Sequence, residues 1–182
     1  MKKIVLTFGL IAGAILSTMM LITLPFMDKI GFDKGEIVGY TTMVLAFLMV
    51  YFGIRSYRDN VAGGSIKFGR ALLVGLLITA IAAICYVVTW ETIYYKVAPD
   101  FGDKYAAYAI EKTKKSGATD AQIALQTKEM MEFKEMYKNP LVNIAFTLLE
   151  PLPVGILFTL ISAGILSRKR RIMGAGVGMT GG

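Results

Sequence analysis

Residues Ala71 to Trp90 read ALLVGLLITAIAAICYVVTW, twenty positions without a charge between Arg70 and Glu91. A strand ends after far fewer residues, and no alternation of period two runs through the stretch. As an α-helix, twenty residues rise about 30 Å, the thickness of a bilayer's hydrocarbon core. Ile4–Met27, between Lys3 and Asp28, has the same character, as does Ile37–Ile54, between Glu36 and Arg55. Asn139–Ser167 joins them, interrupted only by Glu150. In lipid every backbone N–H and C=O must be satisfied within its own segment, so each run reads as a helix. The expected fold is an all-α membrane protein with four transmembrane helices, at about 4–27, 37–54, 71–90 and 141–167.

Composition agrees. Of 182 residues, 55% are hydrophobic and only 18% charged, with a mean hydropathy of +0.57. A soluble domain carries about a quarter of its residues as charges, and spreads them. Here they are segregated, which excludes disorder, collagen and an ordinary soluble globule. The length suits one four-span domain over 1–171. The glycine-rich stretch 172–182 has no periodicity and reads as a disordered tail. The first run has a basic start (Lys2, Lys3) and a possible cleavage sequence at Ala12-Gly13-Ala14. It continues uncharged to Met27, longer than a signal peptide's apolar core of about 7–15 residues, and is read as a retained helix.

Charge sets the expected orientation. With the N-terminus inside, the inside segments carry ten cations against one acid, Asp59, and all six arginines are among them. The anchors are Arg55, Arg58, Arg70, Arg168, Lys169, Arg170 and Arg171, helped by Lys2, Lys3 and Lys67. The outside segments carry ten lysines and eleven acids. The positive-inside rule therefore places both termini in the cytoplasm. The basic pI of 9.5 is then a topology signal. It is not a nucleic-acid footprint, since no basic face with interleaved aromatics accompanies it. Trp90, Tyr94 and Tyr95 mark the outer end of the third span, as amphipathic rings do at the headgroup level.

Outside the bilayer lies a segment from Glu91 to Lys138. Asp103–Ser116 reads as a helix presenting Tyr105, Tyr108 and Ala109 on one side, and Gly117 fits its cap. Thr119-Asp120-Ala121-Gln122 has the form of a capping box. The helix it opens carries Ile123, Thr127, Met130 and Tyr137 in a stripe, with Met131 and Phe133 beside it. Pro140 fits the first turn of the last span. The expectation is a charge-balanced outer helical hairpin at about 103–138. It either folds over the mouth of the bundle or docks a partner.

The chemistry is narrowed by absences. There is no histidine, hence no imidazole base and no histidine-held metal. The single cysteine, Cys85, lies in an apolar run and reads as a buried hydrophobe. No catalytic, cofactor-binding or metal-ligating residue is assigned, and an enzyme is the least favoured class. Glu150, in Leu148-Leu149-Glu150-Pro151-Leu152-Pro153, is the most informative position, because an ionisable group inside a span is costly and marks function by default. Pro151 and Pro153 remove two backbone donors and predict a kink beside it. Equally, the span starts at Pro151 and Glu150 is a headgroup-level carboxylate at that helix start. Glu91 is a second carboxylate near the outer leaflet, either a solvated helix end or a partner for Glu150 in holding a proton or cation. Tyr86, Thr89, Thr92 and Tyr94 offer hydroxyls nearby. Gly63-Gly64 marks a turn in the inner loop and lacks the Gly-Lys-[Ser/Thr] ending of a phosphate loop. Gly9 and Gly13, and the Gly155–Thr159–Ala163 line, let helices approach closely within a bundle or a dimer.

Four segments together, Tyr51–Arg58, Gly63–Leu72, Tyr86 to Glu91 and Glu150–Gly155, resemble the bacterial membrane family known as domain of unknown function 4199. The resemblance covers roughly Lys2 to Arg171. It implies a four-span bacterial inner-membrane protein, and adds weight to Glu150 and the Gly-Gly loop without supplying an activity. The expected function is a non-enzymatic accessory or scaffold protein whose partners are the lipid bilayer and other inner-membrane proteins, without nucleic acid. The alternative is a small transporter or lipid-handling carrier, working as a homo-oligomer around an intramembrane carboxylate.

Overall fold

The structure, a computed structural model, describes residues 1–168. Its helices are α1 (Lys2–Thr23), α2 (Met27–Ile30), α3 (Phe32–Asn60), α4 (Phe68–Lys96), α5 (Phe101–Lys115), α6 (Asp120–Tyr137), α7 (Pro140–Leu149) and α8 (Pro151–Leu166). A single 3-10 turn, Leu24–Phe26, joins α1 to α2, and there is no strand among the described residues. Four stretches are long and apolar enough to cross a membrane: Lys2–Phe26, Phe32–Asn60, Phe68–Lys96 and Pro140–Leu166. The helices outrun the uncharged sequence. The 29 residues of α3 span about 43 Å, because Lys, Glu and Arg continue a helix well once it projects beyond the apolar layer. Lys169, Arg170, Arg171 and the 172–182 tail lie outside the described residues.

The helix order follows from where small residues sit. On α1, an added Cβ at Gly9 would meet Ile81, and one at Gly13 would meet Cys85, so α1 and α4 run side by side in the same direction. On α4, Gly75 faces Thr159, while Gly155 of α8 faces Thr79 and the ring of Phe47. The order is reversed, so α4 and α8 are antiparallel. α3 and α4 form the central pair, with α1 and α8 packed on opposite sides of it. Phe47, Val50 and Ile54 of α3 and Val74, Ile78 and Ala82 of α4 are wholly buried between them. Two hydroxyls are buried between α4 and α8. Thr79 Oγ1 lies 3.3 Å from Thr159 Oγ1 and 3.4 Å from the Gly155 carbonyl. Outward, Leu6, Leu10, Leu45, Ile84, Val88 and Leu157 are exposed. Apolar surface on this scale is untenable in water and matches what lipid dissolves.

At the end of the bundle opposite α5 and α6, α3 stops through Gly63 (φ +68°) and Gly64 (φ +87°). The Gly64 N–H reaches back to the Arg58 carbonyl at 2.9 Å, satisfying a terminal acceptor. The glycine pair is thus required by a turn with two left-handed residues. Ile66 is buried into the core beside it, and α4 begins two residues later. Arg55, Arg58 and Asp59 form an ion-paired cluster here, with Arg58 to Asp59 at 2.7 Å and Arg55 to Asp59 at 3.7 Å.

The seam between α4 and α8 makes a testable demand. Gly155→Ala places a methyl against Thr79 and Phe47, and overpacking of this kind costs about 1–3 kcal/mol. The expected result is a lower unfolding midpoint by circular dichroism in detergent. Gly69→Ala, which opens on empty space in the first turns of α4, leaves the midpoint level or slightly raised.

Candidate functional site

The fourth apolar stretch is not one helix. Proline at 151 and 153 lacks the N–H that would bond the carbonyls of Thr147 and Leu149, and the helix breaks at Glu150. Below the break α8 stays against α3 and α4. Above it, α7 leans on α4 and α6 and leaves α3. The space opened between α1, α3, α4 and α7, with α5 and α6 as its roof, is a cavity of about 800 Å³. It is open on one side and lined in part by exposed side chains, Glu36, Tyr40 and Glu150 among them.

Glu150 lines this cavity at the break. Its Oε2 accepts a 2.5 Å hydrogen bond from the phenol of Tyr86 on α4. Glu36, near the start of α3, lines the same space. Much of the remaining wall is apolar or aromatic, including Met19, Met20, Met43 and Met130.

A polar ring supports the roof where α4, α6 and α7 meet. The indole N–H of Trp90 lies 3.0 Å from both the Tyr137 hydroxyl and Asn143 Oδ1. Thr147 closes the ring, donating to Asn143 Oδ1 at 3.1 Å and lying 3.3 Å from Tyr137. Asn143 is wholly buried. Since indole only donates, the amide oxygen must face it, which leaves Asn143 Nδ2 without a partner. Burial pushes the Tyr137 phenol up, so it remains a neutral member of the ring. Rings pack around this core, with Trp90 edge-on to Phe101 at 4.8 Å and Phe133 to Phe146 at 5.3 Å.

A second clasp ties α5 to α3. Phe32 packs on Phe101, Tyr105 and Tyr108, with centroids 4.9–5.7 Å apart. Beside it Lys112 bonds Asp33 at 2.5 Å and the Tyr108 hydroxyl at 3.1 Å. Lys134 pairs with Asp103, linking α6 to α5. Each acid holds its lysine above the usual ammonium range, so both cations are fixed and matched. The capping box at Thr119 and Gln122 is formed, and Gly117 takes a left-handed φ of +81° to turn the hairpin.

The structure brings together some of the residues singled out by sequence and separates others. Glu150, Pro151 and Trp90 meet at the cavity and its supports. Pro151 is buried while Pro153 is exposed. Glu91 does not line the cavity. It follows Tyr86 by five residues, which is about 140° around a helix, whereas Trp90 is only about 40° away. Its Oε1 is buried and unpartnered elsewhere. Gly63 and Gly64 lie at the far end of the bundle. Thr89 bonds Ser17 and the Cys85 carbonyl, both at 2.8 Å, and joins α1 to α4 instead of the cavity wall. Met131, beside the hairpin's inner stripe in sequence, is 61% exposed. Glu36, Asn143, Phe32 and Lys112 were not legible as site residues. Glu36 looked like the polar end of a span. No group of three acidic, cysteine or histidine side chains capable of holding a metal occurs among the described residues.

The chain belongs to the family described as Protein of unknown function (DUF4199), whose model matches residues 7–168. No curated protein and no solved structure matches it.

Tyr137→Phe deletes one corner of the polar ring, a loss of about 1 kcal/mol for a hydrogen bond. Trypsin cleavage at Lys128 and Lys134 should then rise about fivefold as α6 lifts more often, while cleavage near Arg58 at the far end stays constant.

Proposed function

We propose that this family member is a multi-pass protein of the bacterial inner membrane that holds an amphiphilic molecule in the cavity under its hairpin, a lipid-handling role. One observation carries the reading: about 800 Å³ walled by methionine and aromatic side chains, with the Tyr86–Glu150 pair as a placed polar feature. Sites for small amphiphiles have this form, about 300–1,000 Å³, apolar, with few polar groups that fix orientation. A bundle serving only as an anchor would gain stability by closing that space.

Orientation supports the same account. Lys2, Lys3, Arg55, Arg58, Lys67, Arg70 and Arg168 lie at the end away from the hairpin. The positive-inside rule assigns that end, with both termini, to the cytoplasm, and the cavity to the periplasmic leaflet. The role is binding, not covalent catalysis. A second reading, a non-enzymatic accessory protein that docks other inner-membrane proteins or a second copy, is favoured by one observation. Leu125, Met131 and Met136 of α6 are 56%, 61% and 48% exposed.

Two measurements test the proposal. Green fluorescent protein fused after Arg171 should fluoresce, and alkaline phosphatase inserted at Gly117 should be active; the opposite pattern reverses the orientation. In native mass spectrometry from mild detergent, the chain should carry a lipid-sized adduct. Ala106→Trp, which fills the cavity, should lose it, and Leu125→Trp, on the outer surface, should keep it. An adduct that survives Ala106→Trp overturns the cavity as the site. So does the lack of any adduct, if the neutral probe N-phenyl-1-naphthylamine also fails to bind saturably.

A further inference from the structure

We infer that the cavity's occupant is a lipophilic cation, an apolar body bearing one positive charge such as a protonated amine or a quaternary ammonium. This rests on the binding reading above and names its ligand class.

The charges on the wall decide it. Lys112, Lys134, Glu36 and Glu150 line the cavity. Both lysines are already matched, Lys112 by Asp33 and Lys134 by Asp103. Neither carboxylate has an ion-pair partner among the described residues. Glu150 has the Tyr86 phenol, a neutral donor that orients a carboxylate without cancelling its charge. Glu36 lines the same space. Both side chains are exposed to this space, so negative charge is left without a matching cation on a wall that is otherwise largely apolar and aromatic.

The rest of the wall suits the same guest. Tyr40, Tyr86, Trp90 and Tyr94 are among its lining residues, and the negative face of such a ring attracts a cation, most strongly away from water. Methionine thioethers add soft, adaptable contact to the apolar body. A bare inorganic cation would leave most of the volume unused and find two carboxylates in place of the six or more oxygens it prefers. An anionic lipid or fatty acid would bring a third negative charge beside the pair.

The test uses three probes of similar apolar character on the purified full chain in neutral detergent. They are tetraphenylphosphonium, its anionic isostere tetraphenylborate, and neutral N-phenyl-1-naphthylamine, followed by titration calorimetry. Tetraphenylphosphonium should bind at least about tenfold more tightly than tetraphenylborate, the scale of one desolvated charge contact. Glu36→Gln and Glu150→Gln should each weaken the cation about three- to tenfold, and the double variant should erase the preference. Glu129→Gln, outside the cavity wall, should change nothing. Glu36 has no hydrogen bond to lose, so its variant remains informative if Glu150→Gln misfolds. Equal binding of the two isosteres, or an unchanged preference in the double variant, overturns the cationic class while leaving amphiphile binding in place. Failure of all three probes, the neutral one included, overturns the binding reading as well.

Discussion

Two missing N–H groups govern the hairpin end of this molecule. With proline at 151 and 153, the last apolar stretch is interrupted at Glu150 and divides into α7 and α8. Its lower half is held where small residues demand, Gly155 and Thr159 against α3 and α4. Its upper half, α7, leans on α4 and α6, and the cavity lies between it, α1, α3 and α4. The break also fixes Glu150 at the junction, where α4 offers Tyr86. A glutamate midway along an unbroken, lipid-facing helix would have neither a hydroxyl partner nor an aqueous or ligand-filled space to face.

The bundle accordingly has two kinds of interior. Away from the hairpin, glycine, alanine and threonine bring backbones close around a buried apolar core. Near the hairpin, the side chains are large, aromatic and sulfur-bearing, and contacts run ring to ring. The roof is fastened at two separated places, by the Trp90–Tyr137–Thr147–Asn143 ring and by Phe32 with the Lys112–Asp33 pair. The exposed ion pair contributes little by itself, about 0–1 kcal/mol, so the aromatic packing supplies most of the hold at the second place.

What the sequence made legible was whatever depends on neighbours along the chain. Four long apolar runs gave four helical stretches apolar enough to span, the fourth divided at Glu150, since lipid leaves the backbone no other way to satisfy itself. The Thr119–Gln122 box, the Gly117 turn and Pro140 at a helix start are local chemistry and appear as expected. The site was only half legible. Glu150 and its prolines stood out because a charge inside a span is costly. Glu36 did not, because a carboxylate at the border of an apolar run looks like an ordinary helix end until the helix is seen to continue from Phe32. Glu91 was drawn in by nearness along the membrane normal, and helical rotation sends it elsewhere. The ring around Asn143 joins residues 47 and 53 positions apart, a distance at which no pattern in one chain reports contact.

The glycines of α1 carry a consequence for how copies of the chain meet. Gly9 and Gly13 are both occupied by α4, covered by Ile81 and Cys85. What α1 turns outward is Leu6, Leu10, Ile11, Leu21 and Ile22, with the small residues Ala14 and Thr18 exposed between them. Acyl chains solvate such a surface as well as another helix does, and its branched side chains keep neighbouring backbones apart. Self-association through α1 would therefore gain nothing from Gly9 and Gly13, and close backbone approach on this helix is left to Ala14 and Thr18.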